Sequence, residues 1–180
     1  MEKISNSLPY CWYVVYVRSR SEKKAEAELQ QKNIETYLPL QRKLRQWSDR
    51  KKWVEMPLIS GYLFVHISRK EYDLVLHSNY VVSYVRFEGK AAIIQDSQIE
   101  SLKIMLNQED LEINISHEKL EIGQQIEVVS GALIGLQGKL VKIKGKNKVA
   151  LVIEQLGYSA VIEISTENIR IMESKSLANS

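Results

Sequence analysis

The chain has 180 residues, 44% hydrophobic and 26% charged, with 25 Lys and Arg against 22 Asp and Glu for a formal net charge of +3. That length accommodates one domain of about 100 residues and one of about 50, each able to bury a core. No apolar run approaches the ~20 residues of a membrane helix, the N-terminus lacks a signal-peptide core, and the lone Cys11 cannot close an internal disulfide, so a cytoplasmic protein is expected.

In chain order, Cys11 to Arg18 reads as a strand by its aromatic and β-branched content, and Ser21 then offers a helix cap. Ala25 and Leu29, four apart, mark the apolar side of a helix from about Glu22 to Lys32. Thr36 to Leu40 begins a second strand. Trp47 to Trp53 encloses the polar turn Ser48-Asp49-Arg50-Lys51, which predicts a hairpin. After Gly61, Tyr62 to Ile67 is a further strand, followed by a short helical stretch near Lys70 to His77 and a strand-like run from Tyr80 to Phe87. Ser97 and Glu100 have capping-box spacing, and Ile99, Leu102 and Leu106 form the stripe of a last helix. The order β-α-β, hairpin, β-α-β, α predicts an α+β domain whose antiparallel sheet is covered on one side by helices.

Gln108 to Leu120 has little apolar periodicity and reads as a linker. From Gly123 to Ile171 the pattern changes to five short strands, the composition of a small all-β barrel. Its turns are signalled by Lys146-Asn147-Lys148, Leu156-Gly157-Tyr158 and Thr166-Glu167-Asn168. Gly131, Gly135 and Gly138 shape one loop, through positive φ or through close approach of chains. Leu133 and Ile134 have no evident core position there; they either form an apolar docking tip or tuck beneath the loop. The expected division is residues 1–107, a linker at 108–120, a barrel at 121–173 and a tail at 174–180.

Catalysis needs converging acid, base, nucleophile or metal groups. His66, His77 and His117 are scattered, Cys11 has no neighbouring base, and neither a paired-cysteine zinc motif nor a phosphate-binding glycine loop is present. No enzyme, no cofactor and no metal are therefore expected, and function must lie in surfaces. Seventeen basic residues stand against fourteen acidic ones through Asp110, and eight against eight beyond it. The densest basic cluster is Arg42, Lys43, Arg45, Arg50, Lys51 and Lys52 on the predicted hairpin. It either attracts nucleic-acid phosphates or only keeps a solvated hairpin from aggregating. Tyr16, Tyr62, Phe64 and Tyr84 lie on three predicted strands; should those strands be neighbours, the four rings make one exposed patch, the alternative being burial beneath the helices.

Two stretches carry a resemblance. Gly123-x-x-Ile126-x-Val128 with the Gly131 to Gly138 loop is similar to the KOW module, an SH3-like barrel, and Trp12-Tyr13-Val14-Val15, Gly61 to Val65, Val82 to Phe87 and Ile93-Ile94 resemble the N-terminal domain of the NusG family of transcription elongation factors. Ser60, in place of a usual proline, and Ala132-Leu133, in place of Pro-Phe, make the chain resemble the specialised RfaH and UpxY paralogues, antiterminators of long operons. The resemblance implies a monomer whose first module crosses the RNA polymerase cleft. There it contacts the β′ clamp helices through Tyr16, Tyr62, Phe64 and Tyr84, and the β gate loop around His77 and Ser78. It further implies contact of Arg18, Arg20 and Lys24 with non-template DNA. Ribosomal protein S10 or Rho would then dock on Leu133, Ile134 and Leu136 of the barrel. A KOW-containing ribosome- or RNA-binding protein without polymerase contact is the alternative.

Overall fold

The computed structural model describes residues 8–47, 49–108, 111–116, 122–143 and 146–172. His117, Ser48 of the hairpin turn and the tail at 174–180 lie outside the described residues. The chain forms two compact units, Met1–Asp96 and Ser97–Ser180.

The first unit is built on β1 (Cys11–Val17). This strand pairs antiparallel with β5 (Tyr62–Ile67) on one side, and with β6 (Val81–Tyr84) and β9 (Ile93–Ile94) on the other; β2 (Glu35–Tyr37) adds to the far edge of β5. Alternation along β1 and β5 sends Tyr13, Val15 and Val17, with Leu63, Val65 and Ile67, to one face. On that face they form a core with Ala25 and Leu29 of α1 (Glu22–Gln31) and Val75 of α2 (Tyr72–Leu76). The opposite face is not open, as a sheet covered on one side would be: Trp12, Val14, Phe64 and Ile94 are buried there too. The physical reason is visible in β1 itself, whose apolar run does not alternate, the pattern of a strand buried on both faces.

Two hairpins complete this unit. In the first, β3 (Leu40–Gln46) pairs with β4 (Lys51–Pro57) from Leu40 opposite Pro57 to Gln46 opposite Lys51, and most of its residues are exposed. The second joins β7 (Arg86–Phe87) to β8 (Lys90–Ala91) through Glu88 and Gly89, both at positive φ, as a two-residue hairpin turn of matching twist requires. It is anchored on β1 by the Val85 amide, which donates to the Val14 carbonyl at 2.9 Å.

The second unit contains α3 (Asp96–Leu106) from Ser97 onward and a six-stranded antiparallel sheet. Its strands are β10 (Asn114–Ser116), β11 (Ile122–Val128), β12 (Gln137–Ile143), β13 (Lys146–Ile153), β14 (Tyr158–Glu163) and β15 (Ile169–Ile171), in the order β10-β14-β13-β12-β11-β15. Two features differ from the sequence reading. Asn114 to Ser116, within the expected linker, pair with Ser159 to Val161 and cover the edge of β14. The last helix, expected with the first module, groups with the second unit. Ser101 Oγ donates to the Gln137 carbonyl at 3.2 Å and accepts from its amide at 3.3 Å, while Gln98 Nε2 donates to the Val152 carbonyl at 2.9 Å. Polar residues on that helix are thus ladder contacts, which a hydrophobic-stripe analysis does not register. β13 already begins at Lys146, where the sequence signals a turn.

Gly135 has φ +87°, whereas Gly138 is required by close approach: a Cβ there would lie 2.7 Å from Val149 Cγ1 and 3.0 Å from the Ala150 carbonyl oxygen. Gly138→Ala is expected to destabilise the second unit by about 1–3 kcal/mol. Urea unfolding followed by circular dichroism checks this, and an unchanged midpoint contradicts it.

In the first unit Glu28 ties α1 to the end of α2. Its carboxylate accepts from Lys32 Nζ at 2.9 Å, from Ser78 Oγ at 3.0 Å and from the Asn79 amide at 3.2 Å. These donors, the Lys32 ammonium foremost, hold the Glu28 carboxyl below its ordinary range despite the opposing cost of burial. Because the folded-state pKa is depressed, the stabilisation is full above the unfolded value and is lost as pH falls through the folded one. Glu28→Gln should therefore lower stability most above about pH 5, with the difference from wild type shrinking on acidification below about pH 4. Thermal melts across pH 3–7 measure it, and a gap independent of pH would contradict the assignment.

Candidate partner-binding surfaces

The register of β1 and β5 sets Tyr16 directly opposite Tyr62. Their rings lie 4.9 Å apart, and the Tyr62 hydroxyl donates to that of Tyr16 at 3.4 Å. Tyr16 is 40% exposed and Tyr62 half-buried, so the pair presents an amphipathic aromatic surface.

The other two rings expected in this patch are not in it. Phe64 shares the face of Tyr62 but is fully buried, across from Val14 and 6.2 Å from the Tyr37 ring. Tyr84 pairs with Val15, and Ser83 takes the place opposite Tyr16, so alternation turns Tyr84 to the helix-covered face. There Tyr84 stacks on Tyr72 at 3.8 Å and donates its hydroxyl to the Tyr72 carbonyl at 2.9 Å; burial, then the neighbouring Tyr72, pushes its phenol well above the ordinary range. The patch is a pair, not a quartet.

At the end of α2, His77 is exposed with Nδ1 2.6 Å from the Asp73 carbonyl oxygen, whereas Ser78 is buried against Glu28. Beside His77 the structure exposes Leu74 and Leu76, each 40% accessible, which the sequence reading missed. A signal existed: Leu74-Val75-Leu76 is a consecutive apolar run in a helix, and since only Val75 reaches the core its neighbours must point elsewhere.

Arg18, Arg20 and Lys24 are all exposed where β1 ends and α1 begins, and among the described residues none is in an ion pair. The adjacent Lys23, by contrast, is paired with Glu55 at 3.2 Å. On the β3–β4 hairpin Arg45 stands opposite Lys52, a like-charge cross-strand pair that disfavours the isolated ribbon. Leu44, Trp47 and Trp53 are also exposed there, two large rings that the reading of this hairpin as a basic patch left out.

In the second unit the three loop residues separate. Leu136 is fully buried, Leu133 half-buried and Ile134 62% exposed. The Val128 amide donates to the Leu136 carbonyl at 2.8 Å and the Gly135 amide to the Val128 carbonyl at 2.9 Å, pinning the loop to the end of β11. Leu136 is thus a core residue at the start of β12. The exposed apolar tip is Ile134, beside the end of β11, where Val129 is 40% exposed.

Among the described residues no group of three or more His, Cys, Asp or Glu side chains could hold a metal ion, and no helix is long and apolar enough to cross a membrane.

The family model described as transcription termination factor NusG matches residues 10–103. A solved structure described as "Domain interaction in Thermotoga maritima NusG" is similar in fold, with a TM-score of 0.51 and 18% identity over 92% of this chain and 98% of that one. Among curated proteins no sequence match is found. The matched residues 10–103 exceed half of the 180 and include β1, β5 and the Tyr16–Tyr62 pair; the chain belongs to the NusG family of transcription factors.

Proposed function

We propose that this protein is an elongation and antitermination factor of the RfaH or UpxY type that acts by binding, without catalysis, in the cytoplasm. Its first unit would bridge the RNA polymerase cleft, with the Tyr16–Tyr62 pair on the β′ clamp helices and the exposed Leu74, Leu76 and His77 at the β gate loop. The observation that carries this reading is the ring pair at 4.9 Å, an aromatic anchor of the kind that dominates protein interfaces, on a strand pair inside the family match. Bridging would favour the closed, elongating enzyme through its differential affinity for that state, so pausing and termination fall. Arg18, Arg20 and Lys24 would follow the phosphates of the displaced non-template strand. The second unit is proposed as a KOW barrel presenting Ile134 and Val129 to ribosomal protein S10 or Rho, tethered so that two weak contacts reinforce each other.

Tyr16→Ala combined with Tyr62→Ala is expected to weaken retention of core RNA polymerase by the full chain at least about tenfold, given the about 2 kcal/mol or more typical of buried aromatic anchors. Unchanged retention by a folded double variant overturns the clamp assignment, and binding to free RNA without polymerase favours the ribosome- or RNA-binding alternative. Phe64→Ala is not an equivalent test, since emptying a fully buried ring site costs about 3–5 kcal/mol of stability.

Replacing Arg18, Arg20 and Lys24 together with Gln should flatten the dependence of log affinity for a transcribing complex on log salt by about 2, from three lost single-strand phosphate contacts. An unaltered slope rules these cations out as a strand contact.

A further inference from the structure

Apart from the surfaces discussed so far, the first unit contains a cleft of about 440 Å³. It lies within the ~300–1,000 Å³ range of small-molecule sites. Three cations line it, Arg69, Arg86 and Lys90, and all three are exposed. Among the described residues none of them is in an ion pair. Tyr13, Tyr72 and Ile93 supply an aromatic and apolar wall.

The cations are held by structure on either side. Arg69 follows Ser68, whose amide and hydroxyl both donate to Glu71 Oε2 at 2.8 Å, so the Glu71 carboxylate is already engaged. Its guanidinium lies 4.5 Å from the centroid of the Tyr72 ring. Tyr72 is itself clamped, stacked on Tyr84 at 3.8 Å and met edge-on by Tyr13 at 6.0 Å. Opposite, Arg86 and Lys90 are carried on the tight β7–β8 hairpin, fastened to β1 through Val85 and closed by the Ala92 amide, which donates to the Val85 carbonyl at 2.8 Å. Register sets Arg86 opposite Ala91 and Lys90 opposite Phe87, so alternation puts Arg86 and Ala91 on one face of the hairpin and Lys90 on the other. The two guanidiniums that line the cleft, Arg69 and Arg86, carry like charge, and an anionic guest relieves their repulsion.

We propose that this cleft binds a nucleoside diphosphate. Two linked phosphoryl groups offer one partner to each guanidinium fork, Arg69 and Arg86, whose planar geometry suits phosphate oxygens. The nucleoside rests on the Ile93 and Tyr13 side, since both faces of the Tyr72 ring are already occupied by Tyr84 and Arg69. Inorganic phosphate satisfies only the charge and leaves the apolar wall bare, so it binds more weakly.

Calorimetric titration of the full chain with ADP, GDP and UDP at 50 mM and 300 mM salt tests this, with inorganic phosphate, adenosine and a dT12 oligonucleotide as comparators. Saturable one-to-one binding of at least one diphosphate is expected, weaker at the higher salt and at least tenfold tighter than inorganic phosphate or adenosine. Arg86→Gln with Lys90→Gln should weaken it at least tenfold with an unchanged circular dichroism spectrum, whereas Lys70→Gln, exposed nearby but not lining the cleft, should leave it unaltered. No heat from any diphosphate at 2 mM overturns the proposal. So does equal binding by the double variant. Binding of dT12 that the double variant loses, with no diphosphate binding, also overturns it and makes the cleft a strand-phosphate contact.

Discussion

Almost every feature of the first unit is set by the pairing of one strand. Cys11–Val17 is bonded to β5 on one side and to β6 and β9 on the other, so its register decides which residues meet across three seams. A shift of a single residue would exchange the two faces of the sheet. Tyr13, Val15 and Val17 would then leave the helix-covered core, and Tyr16 would cease to oppose Tyr62. Such a shift is strongly penalised because both faces are apolar but differently filled: one packs against Ala25, Leu29 and Val75, and the other seats Trp12 over His66 with ring centroids 4.8 Å apart.

The same constraint divides the aromatic residues into structural and exposed sets. Tyr84 and Tyr72 use their rings to stack within the unit and anchor the segment that carries Arg69. Phe64 fills the opposite core. At the end of β1, where Tyr16 and Tyr62 lie next to the turn through Gly61, the aromatic surface of the strand pair reaches solvent, and the Val17 amide, bonded to the Gly61 carbonyl at 2.9 Å, fixes that end. Gly61 lies at φ +82°, and its own amide donates to the buried Glu22 carboxylate at 2.8 Å. The ring pair, the start of α1 and the Arg18–Lys24 cations are therefore positioned by one small network.

Much of this was legible in the residues. The apolar run of β1, the Ala25 and Leu29 spacing and the strand at Tyr62 to Ile67 each match an observed element, because local pattern reports what a segment must bury. The glycine-marked loop was legible too, since positive φ at Gly131 and Gly135 leaves few alternatives to glycine. The placement of α3 was not, because the stripe of Ile99, Leu102 and Leu106, of which Leu106 is only half-buried while Met105 is buried, states that one face is covered without saying against what. The hydrogen bonds from Gln98 and Ser101 to β13 and β12, which place it in the second unit, involve side chains equally at home in water. The short strand at Asn114 to Ser116 escaped notice for a similar reason: three residues carry too little periodicity, and its strand character comes from the free edge of β14.

By itself the chain's sequence determined most of the element types, an α+β module ahead of a β-rich one, and the family, because these follow from local periodicity and from motifs that survive without coordinates. Tertiary structure decided which aromatic and loop side chains are surface and which are core. Phe64 by its spacing from Tyr62, and Leu136 by the family resemblance, were expected as docking residues, yet the fold buries both. The cleft between Arg69 and the Arg86–Lys90 hairpin likewise joins residues far apart in the chain. Exposure is a property of how strands pair and what covers them, and no single segment contains that information.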